Sequence, residues 1–370
     1  MNTGKLLEYA KVNSQGSILA GKNTVIDGAE SGREIGIFTH IHADHTKQYS
    51  LAKHQCSAIF VSPPTFDLLA ALEQLDVHDE LSSEAYFSGR HIHRKDFGET
   101  FIPEKNLRQI NPKKELSDQI TLHKAHHILG SAQVSVDTDD GVSILYSSDF
   151  SYPTKPPKCD ILVLDATHGD PMFNANVESC SLEDRLADAV EEEIQAGKPV
   201  VVKSHVGRLQ YVIHLLSEKL PHNIEFLSSK KNIRLSNVYK KWQMGSRELK
   251  ESGTYDADTI SEGNFPFVEF LTGGVTDAEI MGRAAVFEIG GHHLGEKTTI
   301  KQYNENLYRL EFGDHGNYQN ILKYVKDSEA KLVITDNYRS SWGVKLAERI
   351  KEEFPDIEVF PQPVTKKDET

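Results

Sequence analysis

Short runs of hydrophobic residues, separated by Gly, Pro, Asp and Asn, dominate the first half of the chain. Runs of this kind are typical of β-strands joined by turns. A chain with so many strands can bury their apolar faces if two sheets pack against each other. The predicted strands are residues 16–21, 23–27, 34–39, 57–62, 118–125, 132–138, 142–149 and 161–166.

After residue 171 the strand-like runs begin to alternate with longer amphipathic segments. Residues 181–198 begin with a serine and acidic residues and reach a glycine at Gly197, as a helix does. From Leu209 to Leu220, apolar residues recur on one helical face. This alternation predicts a parallel α/β unit, whereas residues 245–285 give no clear pattern. The alternating segments are the strands 199–204, 223–229, 331–336 and 356–362 and the helices 181–198, 208–220, 232–243 and 342–354.

Length and composition indicate an ordinary globular protein. The chain has 370 residues, of which 38% are hydrophobic and 26% charged, which excludes a fibrous or wholly disordered protein. No run approaches the ~20 apolar residues of a membrane span, and the first residues lack the apolar core of a secretory signal. Three cysteines without a CxxC pair indicate a reducing compartment. We therefore expect a cytoplasmic protein with no membrane partner.

The strongest chemical signal is the hexapeptide from His40 to His45, which directly follows a predicted strand. It contains three imidazoles and the carboxylate of Asp44, a density that packing alone does not explain. His40 and His42 fall on one side of the turning chain, whereas Asp44 and His45 face a second point. Imidazole and carboxylate ligands suit divalent ions such as Zn²⁺.

Further candidate ligands occur later in the chain. His126 and His127 lie between two predicted strands, and Asp149 closes another, where its carboxylate would bridge two metal ions. In this order, the motifs His-x-His-x-Asp-His, His-x-x-Gly-Ser and Ser-Ser-Asp-Phe resemble the metallo-β-lactamase superfamily in its two-metal form. The family pattern places the ligand at His127, so that His126 is a neighbour.

Three later motifs resemble the β-CASP nuclease branch of that superfamily, whose members carry an inserted nucleic-acid-binding cap. They are residues 164–169, 206–210 and 312–318. The resemblance implies an α/β fold, with an αββα metallo-β-lactamase sandwich interrupted by an α/β cap. The implied domains are a core at 1–170, a β-CASP cap at 171–311 and a returning core segment at 312–370.

The resemblance also implies an activity and a cofactor. Members are zinc-dependent nucleases, either RNA-processing exonucleases of the mRNA 3′-end factor type or DNA-acting enzymes of the Artemis type. Two Zn²⁺ ions per chain would activate a hydroxide and clamp the phosphodiester. The implied first ion is held by His40, His42 and His127, and the second by Asp44, His45 and the bridging Asp149.

Two further residues complete the implied catalytic set, in which Asp44 also takes part. Asp165 would hold a ligating histidine or orient the water, and otherwise would cap a turn. His315 would contact the scissile phosphate or protonate the leaving oxygen, and otherwise would be an ordinary loop histidine.

Substrate binding is expected to fall to the cap. Residues 198–250 carry eleven Lys or Arg against three Glu in a chain of net charge -14, so this segment can bind a polyanion such as single-stranded RNA or DNA. A solvated helix face would give the same local excess. The candidate phosphate contacts are Arg208, Lys230, Lys231 and Arg234, and the candidate stacking or core aromatics are Tyr211, Tyr239 and Trp242.

One departure from the family leaves the second metal site open to two interpretations. RNA-processing members have a histidine after the last strand of the core, whereas this chain has Asp336 there. Either Asp336 replaces it, or the second site is weaker and more open, as in DNA-acting relatives. The pair His292 and His293 lacks partners at a ligand spacing and is expected in a loop near the cleft.

The sequence leaves several alternatives open. A small-ester or thioester hydrolase would explain the metal ligands but not the basic segment, and a non-catalytic nucleic-acid-binding subunit would not need intact ligands. RNA or DNA, exonuclease or endonuclease, and monomer or homodimer are not distinguished.

Overall fold

The computed structural model describes residues 3–73, 92–102, 118–173, 179–262, 265–273, 282–290 and 300–364. The chain divides into two compact units. The first comprises the described parts of Met1–Leu69, Asp76–Asn174 and His315–Thr370, and the second those of Ala70–Leu75 and Ala175–Asp314. The histidine pair at 292–293 lies outside the described residues.

The first unit begins with a six-stranded sheet whose strands follow one another in sequence order. The first three strands are antiparallel, and the third to the sixth are parallel. The strands are β1 Ala10–Val12, β2 Ile18–Ala20, β3 Thr24–Ile26, β4 Ile35–Ile37, β5 Ala58–Val61 and β6 Ile92–Arg94. The helices of this part are α1 Thr3–Leu6, α2 Ala43–Thr46, α3 Tyr49–Gln55 and α4 Pro63–Leu72.

A second sheet of the first unit has seven strands. These are β7 Thr100–Phe101, β8 Gln119–Lys124, β9 Ala132–Asp137, β10 Ser143–Tyr146, β11 Ile161–Leu164, β19 Leu332–Asp336 and β20 Glu358–Gln362. Their spatial order is β20-β19-β11-β10-β9-β8-β7. The strands β10, β11, β19 and β20 are parallel, and the remaining neighbours are antiparallel. The helices of this part are α9 Tyr318–Ser328 and α10 Gly343–Glu353.

The two sheets of the first unit share one hydrophobic core, since a single cluster of buried side chains contains residues from both. Successive side chains of a strand point to opposite faces. Ile144 and Ile161 accordingly belong to this shared core, whereas Leu145 and Leu162 pack with α9 and α10 on the other face. Directly after β4 of the first sheet, the Phe38 ring contacts that of Tyr49 from α3. The predicted packing of two sheets is therefore confirmed.

The second unit contains a seven-stranded sheet in the order β14-β13-β15-β12-β16-β18-β17. All neighbours are parallel except β17 and β18. The strands are β12 Val200–Lys203, β13 Glu225–Ser228, β14 Lys250–Glu251, β15 Phe267–Leu271, β16 Ala285–Gly290, β17 Ile300–Asn304 and β18 Leu307–Glu311. The helices are α5 Ser179–Gln195, α6 Arg208–Lys219, α7 Lys230–Lys241 and α8 Tyr255–Glu262.

Every strand and helix predicted from the sequence is present, and the mixed α/β class is confirmed. The segment 245–285, which has no clear pattern in the sequence, contributes β14, α8 and β15 to the second unit. β10 ends earlier than predicted because Ser148 adopts a left-handed conformation with φ of 52°. No helix among the described residues is long and apolar enough to cross a bilayer.

Candidate metal centre

Polar side chains gather where several strands of the first unit end. In the second sheet, β8, β10, β11 and β19 run in the same direction, so their carboxyl ends lie at one edge. His127 follows β8, Asp149 follows β10 and Asp165 follows β11. In the first sheet, His40 follows β4. Parallel strand ends are where α/β proteins commonly place their sites.

The first donor group consists of His40, His42, His127 and Asp149. His42 Nδ1 lies 3.1 Å from His40 Nε2 and 3.0 Å from His127 Nε2. Asp149 Oδ2 lies 3.6 Å from His40 Nε2 and 3.5 Å from His127 Nε2. Three imidazole nitrogens and one carboxylate oxygen therefore surround a single point.

The second donor group consists of Asp44, His45 and again Asp149. His45 Nε2 lies 3.2 Å from Asp149 Oδ1 and 3.4 Å from Asp44 Oδ2. The His45 side chain is fully buried, whereas that of Asp44 is 53% exposed. Asp149 thus turns one oxygen to each group, which is the geometry expected of a bridging carboxylate.

His315 approaches the same carboxylate from the returning segment of the chain. Its Nε2 lies 3.9 Å from Asp149 Oδ2, and its Nδ1 lies 3.1 Å from Asp165 Oδ2. The other oxygen of Asp165 accepts hydrogen bonds from the backbone N–H of Thr167 at 2.8 Å and its hydroxyl at 2.7 Å. Asp165 therefore fixes the orientation of the His315 ring.

Asp27, which the sequence analysis missed, supports His45 from behind. Its Oδ2 lies 2.8 Å from His45 Nδ1 and accepts the Thr39 hydroxyl at 2.8 Å, while Oδ1 accepts the Thr39 backbone N–H. An ionised carboxylate can accept but not donate a hydrogen bond, so a proton stays on His45 Nδ1 and Nε2 is the nitrogen that can bind a metal. The parallel pairing of β3 and β4 is the signal that could have identified Asp27, because it brings the ends of those strands together.

The charges of the site perturb one another strongly. Burial and the neighbouring rings of His45 and His42 hold the pKa of His40 well below its usual range. Burial opposes ionisation of Asp149, yet His45 and His315 hold its pKa well below the usual range. Burial would also lower the pKa of His45, but the carboxylates of Asp149 and Asp27 raise it to about 10. The site thus sets an ionised Asp149 beside a protonated His45, and a cation bound there would displace the second proton of His45.

The donor set fits a divalent cation. Four donors arranged tetrahedrally at roughly 2.0–2.2 Å from a zinc-like ion are separated from one another by about 3.3–3.6 Å. In the first group, four of the six donor–donor separations run from 3.0 to 3.6 Å, and all four donors lie within 4.8 Å of one another. The mixture of imidazole and carboxylate is a typical donor set for such ions.

Asp336 is engaged elsewhere. Its Oδ2 accepts Arg339 Nη1 at 2.8 Å, and its Oδ1 accepts the backbone N–H of Tyr338 at 2.9 Å. Both side chains of the Asp336–Arg339 pair are buried. Asp336 belongs to none of the donor groups found among the described residues.

Two of the four candidate phosphate contacts have partners within the second unit. Arg208 is buried and ion-paired with Asp314, and Arg234 Nε donates to the Ala71 carbonyl at 3.2 Å. The guanidinium groups of both arginines therefore already bind partners within the second unit. Lys230 and Lys231, in contrast, are exposed at the start of α7.

The three candidate stacking aromatics differ in exposure. Tyr239 is buried, with 2% of its surface accessible, and the hydroxyl of Tyr211 bonds to Glu183. Trp242 is 37% exposed at the end of α7. Of the three, Trp242 presents the most accessible ring.

Comparison with known proteins gives relatives for parts of the chain, although no family model matches it. A segment is 29% identical over 208 residues to the transcription termination factor FttA of Pyrococcus horikoshii, covering 49% of this chain but only 30% of that protein. The fold resembles a crystal structure of a protein of unknown function from Enterococcus faecalis V583, with a TM-score of 0.58, 13% identity and coverage of 91% of this chain and 81% of that one.

A second relative is matched over most of its own length. The uncharacterized protein in the lig 3′ region of Acidianus ambivalens is 32% identical over 102 residues, which are 27% of this chain and 71% of that protein. The chain therefore belongs to the same family as that Acidianus protein.

Proposed function

We propose that the protein is a metal-dependent nuclease that hydrolyses phosphodiester bonds of RNA or DNA. The observation that carries this proposal is the convergence of both donor groups and of His315 on the single carboxylate of Asp149. A carboxylate shared in this way suits two ions held close together, the arrangement of many phosphodiester-cleaving enzymes.

The proposed cofactor is Zn²⁺, two per chain. His40, His42, His127 and Asp149 would hold one ion, and Asp44, His45 and Asp149 the other. When bound, such ions supply Lewis-acid stabilisation of the phosphodiester charge and activate water at neutral pH.

The protein's own contribution to proton transfer is assigned to His315. Asp165 accepts from Nδ1 of this ring, which leaves Nε2 directed towards Asp149 and the donor groups. A proton on Nε2 is then positioned for the leaving oxygen of a bound substrate. Asp165 acts through His315 as a positioning residue.

The proposed substrate class follows from a relative and from surface charge. The matched relative from Pyrococcus is named as a transcription termination factor, which supports a nucleic-acid substrate. Lys230 and Lys231 are exposed and adjacent, so they are the preferred phosphate contacts within the second unit. Contacts to phosphate position a strand without reading its sequence, so we expect low sequence specificity.

The proposed fold assignment is a metallo-β-lactamase sandwich at 1–170 and 312–370, with a β-CASP cap at 171–311. Two sheets sharing one core, with α9 and α10 on the outer face of one and α3 on the other, support it. The structural similarity to the Enterococcus protein supports the fold alone.

Two adjacent histidines give a matched test. His127 belongs to the first donor group, whereas His126 is exposed and belongs to neither group. We expect His127→Ala to lose bound zinc and at least about a hundredfold of the cleavage rate, because an ion needs its full ligand set. His126→Ala should retain both. Zinc per chain is measured by plasma mass spectrometry, and cleavage by product ladders from 5′- and 3′-labelled single strands of RNA and DNA.

The product ladders also decide the open questions on substrate and polarity. If the His127→Ala protein cleaved nucleic acid as fast as the wild type, the nuclease proposal would be wrong. If the zinc-loaded wild type cleaved chromogenic esters or thioesters but no nucleic acid, the small-ester hydrolase would replace it. If it bound single strands without cleaving either substrate, the non-catalytic subunit would replace it.

A further inference from the structure

A buried arginine stands behind the second donor group. Arg339 follows β19, and its side chain is 5% exposed. Nη1 donates to Asp336 Oδ2 at 2.8 Å, and Nη2 donates to the backbone carbonyl of Asp27 at 3.2 Å. Because a guanidinium stays protonated at any working pH, this is a fixed positive charge inside the first unit.

The arginine has two consequences for a cation bound at His45. It pairs with the carboxylate of Asp336, the residue at the end of β19 that the sequence offered as an additional ligand. Asp27 also connects the arginine to His45. The backbone carbonyl of Asp27 accepts a hydrogen bond from Arg339, and the carboxylate of Asp27 contacts His45 Nδ1. Charges interact more strongly in a buried environment than in water, so a second cation there would be repelled.

The two donor groups differ in the ligands that offset this repulsion. The first has three histidines and Asp149, whereas the second has only His45, the shared Asp149 and the half-exposed Asp44. Metal affinity depends on the number of ligands and on the charge around them. The second group is therefore the one whose affinity Arg339 would govern.

We propose that Arg339 is a positioning residue that keeps the second metal site weak, so that one divalent ion is held firmly and the other exchanges with the solution. This inference rests on the proposed metal centre. It assigns the weakness of the second site to a specific ion pair, Asp336–Arg339, and to a fixed charge behind His45, in addition to the missing histidine.

The test measures zinc affinity rather than cleavage. Metal-stripped full-length protein is titrated with Zn²⁺ against a chromogenic chelator, which resolves the two dissociation constants. We expect the wild type to bind one ion at least about tenfold more tightly than the other, and Arg339→Met to tighten the weaker site by at least about tenfold, since one buried positive charge is removed. Arg339→Lys, which keeps the charge, should change the weaker site by less than about threefold.

Two further variants guard against trivial explanations. Arg349→Met removes an exposed arginine of α10, paired with Glu352, and should leave both affinities unchanged. Asp336→Asn removes the buried negative charge that offsets the guanidinium and should weaken the second site further, so it tests the proposal even if Arg339→Met fails to fold. Urea unfolding of each stripped variant reports whether the fold is retained.

The possible failures are distinguishable. Equal zinc affinities at the two sites of the wild type, or a folded Arg339→Met protein with an unchanged or weaker second site, would overturn the role of Arg339 and leave the nuclease proposal standing. An Asp336→Asn protein with a tighter second site would overturn it as well. If the wild type bound no zinc at either site, the proposed metal centre itself would be wrong.

Discussion

The support that Asp27 gives to His45 leads to a specific prediction for Asp27→Asn. Asp27 is buried and is within 2.8 Å of three donors, the backbone N–H and hydroxyl of Thr39 and His45 Nδ1. An asparagine has nearly the same size but only one acceptor oxygen. If that oxygen still accepts the hydrogen bond from the Thr39 backbone N–H, the amide NH₂ group faces His45 Nδ1–H. Two hydrogen-bond donors then face each other without an acceptor.

When His45 gives up one proton, it can escape this conflict by keeping the remaining proton on Nε2 instead of Nδ1, and Nε2 then cannot bind a metal. Loss of such a supporting carboxylate typically costs about 10- to 100-fold in metal affinity. One hydrogen bond to a charged group is also lost from a buried site, which lowers the free energy of unfolding of the metal-free protein by about 1.5–3 kcal/mol. The first donor group does not include His45 and is linked to Asp27 only indirectly, through the Thr39 hydroxyl that lies 3.1 Å from His40 Nδ1 and through the contact of Asp149 with His45, so its affinity should fall less than that of the second group.

The assay is the same two-site zinc titration, combined with urea unfolding of the stripped protein. Asp67→Asn is the matched control. Asp67 is also buried and forms an ion pair with Arg94 at 3.3 Å, and it belongs to neither donor group. It should lose stability but neither zinc affinity. An Asp27→Asn protein that is folded and binds the second zinc ion as tightly as the wild type would refute the reasoning.

Three other predictions concern the same unit. The pKa of His45, raised to about 10, keeps this imidazole protonated at neutral pH, so the zinc affinity of the second site should rise with pH up to that value. Calorimetry in buffers of different ionisation enthalpy should detect the proton that zinc binding releases, and zero release would contradict the assignment of His45 as a ligand. Asp165→Asn should lower kcat by about 10²- to 10⁴-fold through misorientation of His315 while KM and zinc content stay constant, and an unchanged kcat would exclude the role. Gly130→Ala should lower the free energy of unfolding, measured in urea, by at least about 2 kcal/mol, because φ is +85° and a Cβ would lie 2.5 Å from Thr65 Oγ1. Gly141→Ala, where φ is +78° but no atom lies within 4 Å of a Cβ, should lower it by only about 1 kcal/mol. Equal losses in the two variants would contradict the steric argument.

The grouping of the candidate donor side chains could be anticipated from the sequence because these residues lie at or near strand ends. The hexapeptide from His40 to His45 is a compact motif, and His127 and Asp149 each directly follow a recognisable apolar run. Asp27 shares this property but has no histidine beside it in the sequence. The position of Asp27 beside the donor groups follows from the parallel pairing of β3 with β4, and that pairing is not visible in the sequence pattern.

The basic residues show why the remainder could not be predicted. Arg208 and Asp314 are 106 positions apart, and nothing in the local pattern around either indicates that they pair. Arg234 bonds to the main chain of Ala71, which has no side-chain signature at all. Counting charges along the chain therefore overestimated the surface available to a polyanion, because burial of an arginine depends on distant partners.

The ion pair of Asp336 could not be predicted for a related reason. Its position at the end of β19 fits a ligand, yet its carboxylate is taken by Arg339 three residues later in the turn. The sequence does not show whether this carboxylate binds a metal or the arginine three residues later. The structure shows a buried ion pair with Arg339.

The central claim is that four side chains from distant parts of the sequence hold one divalent ion together. Zinc-edge anomalous diffraction from crystals of the zinc-loaded protein tests it most directly. The account predicts the strongest peak at roughly 2.0–2.2 Å from His40 Nε2, His42 Nδ1, His127 Nε2 and Asp149 Oδ2. Zinc peaks that avoid these four atoms, or their absence from fully loaded crystals, would contradict it.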